Sequence, residues 1–189
     1  MNKNLWKNTG RKLMYFDGSG TCTILYDQAS NILYRYISSS KSYKRVSNVI
    51  DKLNGSRYYF YDANGNRRTS SGWKKVNGST AYYVCDGGYV TSRYTDQKGT
   101  KKVYDFDYSK NTWVQKKNMW KTVYRSRYYF GSKGVATMSY NNSTKKAYKF
   151  TGRKWKPAKK LIMKIGNANY YFNSAAKRVV KAGKYKTAD

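Results

Sequence analysis

The sequence predicts an all-β protein made of repeated β-hairpins in a solenoid-like stack, and three observations lead there. An aromatic motif returns about every 22 residues along a chain of 189. The segments carrying it are rich in Tyr, Phe, Val and Thr, which favour strands, and Asn-Gly turn signals punctuate them. No segment holds the 3.6-residue apolar period of a helix. The stretch 44–53 is the one arguable exception.

The motif can be followed in order. It reads Met14-Tyr15-Phe16, Tyr34-Arg35-Tyr36, Tyr58-Tyr59-Phe60, Tyr82-Tyr83-Val84, Tyr104-Asp105-Phe106, Tyr128-Tyr129-Phe130, Tyr148-Lys149-Phe150 and Tyr170-Tyr171-Phe172. The closing residues are 20, 24, 24, 22, 24, 20 and 22 positions apart. One flavour has a doubled tyrosine and a following glycine turn, as in Asp62-Ala63-Asn64-Gly65, Asp86-Gly87-Gly88 and Gly131-Ser132-Lys133-Gly134. The other has aromatic-X-aromatic with a further ring downstream: Tyr43, Trp113, Trp155. They mostly alternate, which suggests a larger unit of about 44 residues; the doubled-tyrosine units ending at 60 and 84 break the alternation. Asn-Gly at 54–55, 64–65 and 77–78 marks hairpins. A hairpin this small cannot hide its aromatic face alone, so neighbours must stack. The expectation is a single array over 1–189 of about eight units, with a possible subdivision near 92–100. Tandem small β-barrels and a small propeller are the alternatives.

Charge excludes much chemistry. There are 39 Lys and Arg against 9 acids, all Asp, giving a net charge of +30 with no His and no Glu. The commonest general bases and the commonest metal ligand are missing, so neither metal site, cofactor nor enzyme activity is expected. Asp105 and Asp107, two apart on a strand, could face one side like a catalytic carboxylate pair, but they are read as a polar patch beside Lys101 and Lys102. A chain this cationic seeks a polyanion. Leu, Ile, Val and Phe number only 29, in the range where disorder is the default, but 22 Tyr, 5 Trp and 6 Phe supply rings for a thin aromatic core. Cys22 and Cys85 are read as unrelated buried thiols, with a bridge between them as the alternative. No apolar run approaches a membrane span. The first residues carry no signal-peptide pattern, and the chain is expected to be part of a larger or secreted protein.

The segment Gly72-Trp73-Lys74-Lys75-Val76-Asn77-Gly78-Ser79-Thr80-Ala81-Tyr82-Tyr83-Val84 resembles the cell-wall-binding repeat of choline-binding and glucan-binding surface proteins. Trp120 with Tyr128-Tyr129-Phe130 and Gly134 repeats it; Trp6 with Tyr15-Phe16 and Gly20, and Ile162 with Tyr170-Tyr171-Phe172, do so more weakly. The basic, Tyr- and Lys-rich stretches Lys164–Tyr171 and Val180–Gly183 look more loosely like the wall-attachment domains of lactobacillus surface-layer proteins. The resemblance implies a non-catalytic module that holds a bacterial protein to its wall, outside the cell. A surface-layer-type structural component is a further reading.

On a strand, adjacent residues face opposite sides, so dibasic pairs charge both faces of a thin sheet. The candidate polyanion contacts are Lys74-Lys75, Lys101-Lys102, Lys116-Lys117, Lys145-Lys146, Lys159-Lys160 and Arg127; ordinary solubilising surface is the alternative. The candidate ligand-stacking rings are Trp73, Tyr82, Tyr83, Trp113, Trp120, Tyr128, Tyr129, Trp155, Tyr170 and Tyr171, with core packing as the alternative. The expected partner is an anionic wall polymer such as teichoic or lipoteichoic acid, with a neutral or anionic exopolysaccharide as rival. Basic patches among aromatics also suit single-stranded nucleic acid, but no helix-turn-helix, zinc or RNP signature is present, so no specific nucleic-acid partner is expected.

Overall fold

The computed structural model describes residues 3–54 and 57–180. Gly55 of the Asn54-Gly55 turn, and residues 181–183 of the looser resemblance, lie outside the described residues. The protein is all-β, as its sequence predicts. Five strands form a first sheet in sequence order: β1 (Leu5–Asn8), β2 (Lys12–Phe16), β3 (Cys22–Asp27), β4 (Ile32–Ile37) and β5 (Ser42–Arg45). A short 3-10 turn, Ser38–Ser40, links the last two. The hairpin β6 (Val49–Leu53) and β7 (Arg57–Tyr61) follows. A second sheet contains β8 (Gly72–Lys75), β9 (Thr80–Val84), β10 (Val90–Gln97), β11 (Thr100–Asp107) and β12 (Thr112–Gln115). The third comprises β13 (Met119–Val123), β14 (Ser126–Phe130), β15 (Ala136–Asn141), β16 (Ala147–Phe150) and β17 (Trp155–Pro157), and the hairpin β18 (Leu161–Ile165) and β19 (Ala168–Phe172) ends the series. None of these sheets closes into a barrel, and sheets of five and two strands are not the four-stranded blades of a propeller.

By contacts the chain divides into two compact units, Met1–Arg93 with Phe106–Thr112, and Tyr94–Asp105 with Trp113–Asp189. In the first, Leu13, Tyr26, Leu33, Val46, Leu53 and Tyr61 form the core. The core of the second is Tyr140, Ala147, Ala158, Met163, Ile165 and Phe172. Fully burying one large side chain of this kind stabilises by about 1.5–3 kcal/mol. The expected aromatic core is in fact mixed, with Tyr26, Tyr61, Tyr140 and Phe172 set among aliphatic residues, because inward strand positions are taken by Leu, Val, Ile and Ala as well as by rings.

Among the described residues one turn recurs five times, its copies one or two repeat units apart. Its first residue is Asp17, Asp62, Cys85, Gly131 or Asn173. In each copy that residue's N–H donates to the carbonyl four residues on, and its own carbonyl accepts the N–H three residues on. The fourth position is left-handed: Gly20, Gly65, Gly88 and Gly134 have φ of 84°, 76°, 75° and 69°, and Ala176 has 57°. Asn64-Gly65 therefore belongs to this turn, with Tyr61 and Arg67 bridged across it. In four copies the ring or valine just before the turn points inward, with Tyr61, Val84, Phe130 and Phe172 all at 0% exposure; Phe16, before the first copy, is half-buried.

The two-stranded hairpins dock by backbone bonds. Leu33 N–H donates to Gly65 O and Arg67 N–H to Asn31 O; in the other unit Ala147 N–H donates to Ala176 O and Arg178 N–H to Lys145 O. Each hairpin thus stacks on the penultimate strand of the sheet preceding it. The stretch 44–53 is not a helix but strand, turn and strand. Val46, Val49 and Leu53 mimic a helical spacing, yet Asn48 is left-handed at φ 46°, which no right-handed helix continues through. Its N–H instead donates to Asp62 O. Cys22 and Cys85 are both free, and half-buried rather than buried. Among the described residues no helix is long and apolar enough to cross a membrane.

Candidate polyanion-binding surface

The hairpins place Trp opposite the second Tyr of the motif. Trp6 pairs with Tyr15, Trp73 with Tyr83 and Trp120 with Tyr129. Their ring centroids are 5.4, 5.5 and 5.6 Å apart, tilted or edge-on, the arrangement aromatic quadrupoles favour. All six rings are half-buried, leaving part of each pair open to a ligand. In the last hairpin Ile162 stands opposite Tyr171 instead. The Arg127 guanidinium sits 6.0 Å from the Trp120 ring, two positions from Tyr129 on the same face.

The first Tyr of each motif faces the other way. Tyr128 meets Tyr94 at 5.9 Å and Trp155 at 6.0 Å. Trp155 also packs on Phe150 at 5.3 Å and donates its indole N–H to Gly99 O at 3.1 Å. Lys101 ion-pairs with Asp96, and its ammonium lies 5.9 and 5.8 Å from the Tyr128 and Trp155 rings. Lys101, Tyr128 and Trp155 are thus brought together as a half-buried cluster. Tyr82 lies opposite Lys74, and burial raises its phenol pKa, partly countered by Arg93. Tyr170 lies 5.1 Å below Arg178 and packs on the core. Trp113 is half-buried on β12.

Among the candidate cations, Lys75, Lys117, Lys145, Lys146, Lys159 and Lys160 are exposed. No ion pair involves them among the described residues. Lys74 bonds Ser70 Oγ at 3.1 Å, and Lys102 is half-buried, bridged to Val135. Lys116 and Lys121 share Asp105 at 3.4 and 3.1 Å. Asp107 instead accepts hydrogen bonds from Ser109 and the Lys110 N–H within its own loop. Each carboxylate is therefore engaged separately, Asp105 with lysines and Asp107 with its loop. Among the described residues no cluster of three or more acids or thiols is placed to hold a metal.

Sequence reasoning missed two arrangements. Arg67 lies 5.8 Å from Tyr26 and 5.0 Å from Tyr59; Arg178 lies 5.9 Å from Tyr140 and 5.1 Å from Tyr170. Each arginine caps two rings, so its charge serves the fold. The signal was present: both follow the recurring turn at nearly the same offset. The second arrangement is a row of directly opposed residues on one face of a five-stranded sheet. In the third sheet it runs Trp120, Tyr129, Met138, Lys149, Lys156. The first sheet has Trp6, Tyr15, Ile24, Arg35, Lys44. All four terminal cations are exposed.

No family description matches the sequence, and no curated protein does. Solved structures similar to it include alternansucrase in complex with isomaltononaose, at 17% identity over 94% of this chain and 15% of that one, TM-score 0.27. CbpJ from Streptococcus pneumoniae TIGR4 is 18% identical over 93% of this chain and 48% of that one, TM-score 0.27. Choline binding protein F from Streptococcus pneumoniae is 18% identical over 88% and 55%, TM-score 0.26. The chain spans at most 55% of these three proteins' length. A choline binding protein is thus among the structures this chain is similar to, but at such TM-scores the likeness carries no functional weight.

Proposed function

We propose that the protein is a non-catalytic wall-binding module, anchoring a Gram-positive surface protein from outside the cell to an anionic wall polymer of the teichoic or lipoteichoic acid type. The observation that carries this reading is the surplus of exposed lysines without acidic partners, spread over both units beside half-open Trp-Tyr pairs. A teichoic acid is a chain of phosphates joined by polyols and sugars. Spaced ammonium groups neutralise successive phosphates and release counterions, while the rings stack on what lies between. The rival reading is an exopolysaccharide or glucan module, favoured by the three Trp-Tyr pairs, in which stacking outweighs charge.

The test is retention on purified cell walls, with and without their teichoic acid. Retention is expected to collapse between about 0.05 and 0.5 M salt and to be lost on depleted walls. Equal retention on depleted walls overturns the wall-polymer reading. Retention that survives high salt favours the glucan reading.

A further inference from the structure

We infer that the row Trp120-Tyr129-Met138-Lys149-Lys156 holds one phosphate of the polymer between its two lysines and the adjoining polyol or sugar on its rings, and that Asp51 occupies the equivalent anion position in the other unit. This rests on the wall-polymer reading above.

The argument begins with an electrostatic cost. Lys149 and Lys156 stand directly opposite on β16 and β17, and like charges so placed destabilise a sheet. Both are exposed, and among the described residues neither has an acidic partner. The first sheet has the same problem at Arg35 and Lys44 and solves it internally. Asp51 on β6 accepts two bonds from Arg35, one from Nε at 3.1 Å and a shorter one from Nη2. Its side chain is only 15% exposed. The two hairpins align through their partners: Asp51 faces Tyr59, and Met163 faces Tyr170. Where one unit supplies a carboxylate, the other has a buried thioether. The carboxylate neutralises Arg35, one of the two paired cations, whereas among the described residues no carboxylate reaches Lys149 or Lys156, which leaves both to an anionic ligand.

Geometry sets the rest. Tyr129 and Lys149 are separated by two strand spacings, roughly 10 Å, with the apolar Met138 between them. A flexible diester chain lying across the strands would put phosphate at the lysines and uncharged backbone against Tyr129 and Trp120. The Arg127 charge beside Trp120 favours a further phosphate beyond the rings.

The experiment titrates the intact protein with a poly(glycerol phosphate) chain, read by tryptophan fluorescence at several salt concentrations. The Lys149→Gln, Lys156→Gln double variant is expected to bind about tenfold more weakly and to lose about 0.7 from the slope of log affinity on log salt, one phosphate contact. The control double variant Lys133→Gln, Lys154→Gln removes equal charge from exposed positions of the same unit and should lose far less. Asp51→Asn is expected to strengthen binding and raise the slope by a similar amount. If the wild type does not bind, the wall-polymer reading fails and this inference with it. If the wild type binds and both double variants weaken equally, the row is wrong while the wider reading stands. An unchanged Asp51→Asn variant overturns the role given to Asp51.

Discussion

Tyr61 and Phe172 fill the same place before the recurring turn, and each meets a tyrosine edge-on: Tyr26 at 6.3 Å, Tyr140 at 5.8 Å. Tyr61 is fully buried and its hydroxyl has no hydrogen-bond partner among the described residues. Burial pushes its phenol pKa far up. A desolvated hydroxyl without a partner costs about 1–3 kcal/mol, and Phe already serves in the other unit. Tyr61→Phe is therefore expected to stabilise by about 1 kcal/mol, raising the midpoint of thermal unfolding by about 2–4 °C. A lowered midpoint would show that the hydroxyl has a role. The tyrosine-pair motif of this copy closes at Phe60, one residue short of this inward position. The structure puts Tyr61 there, because the turn beginning at Asp62 fixes the count. A shift of one residue on a strand exchanges the faces, so aromatic spacing alone identified the repeat but not which ring of this copy is innermost.

At the scale of loops and strands, a second device repeats. The loops opening at Asp27, Asp107 and Asn141 each have a left-handed residue at their fifth position: Asn31, Asn111 and Lys145, with φ of 57°, 51° and 59°. In each, the first side chain accepts the N–H groups of the third and fourth residues. Asp107 has its pKa lowered, first by the Ser109 hydroxyl bond and then by the Lys110 N–H. A depressed carboxylate contributes stability that is present above its unfolded value of 3.8 and lost as pH falls through the folded one. The Ser109 amide resonance is thus expected to titrate below pH 3.8 as the loop loosens, while that of Ser143, bonded to the uncharged Asn141, stays put. Titration of both together would contradict this. Such loops, which lack an Asn-Gly or glycine signal, were not picked out from the sequence although their residues are local neighbours. Neither was the Lys149-Lys156 row. Its members are seven apart on different strands, so only register brings them together, and adjacent lysines such as Lys116 and Lys117 drew attention instead.

For the molecule as a whole, thirty unbalanced positive charges accompany cores in which Tyr26, Tyr61 and Tyr94 are buried among mostly aliphatic side chains, which ties part of the stability to the neutral phenol. Burial holds Tyr43 and Tyr108 up to about 12; Tyr43 also donates to Cys22 O at 2.7 Å. A phenol whose folded pKa exceeds its unfolded value of 10.0 contributes stability fully present below pH 10 and lost as pH rises through about 12. Spectrophotometric titration is expected to show a late phenol step near pH 12 that coincides with unfolding. Tyr43→Phe and Tyr108→Phe should each shrink that step. A titration without such a step, or one that both variants leave unchanged, would refute it. Composition pointed to an aromatic core, yet most of the buried hydrophobic residues are aliphatic, because Leu, Val, Ile and Ala take inward strand positions alongside the rings.

Every ladder runs between strands adjacent in sequence, and this bears on how such a chain comes to be and how it changes. Closing a short loop costs little entropy, and folds dominated by local pairings form quickly. Early strands can zip together while later ones are still being synthesised. A two-stranded hairpin gained or deleted by recombination leaves the ladders of the other strands intact and changes only its docking bonds to the preceding sheet, so lineages can lengthen or trim the array without reinventing the fold.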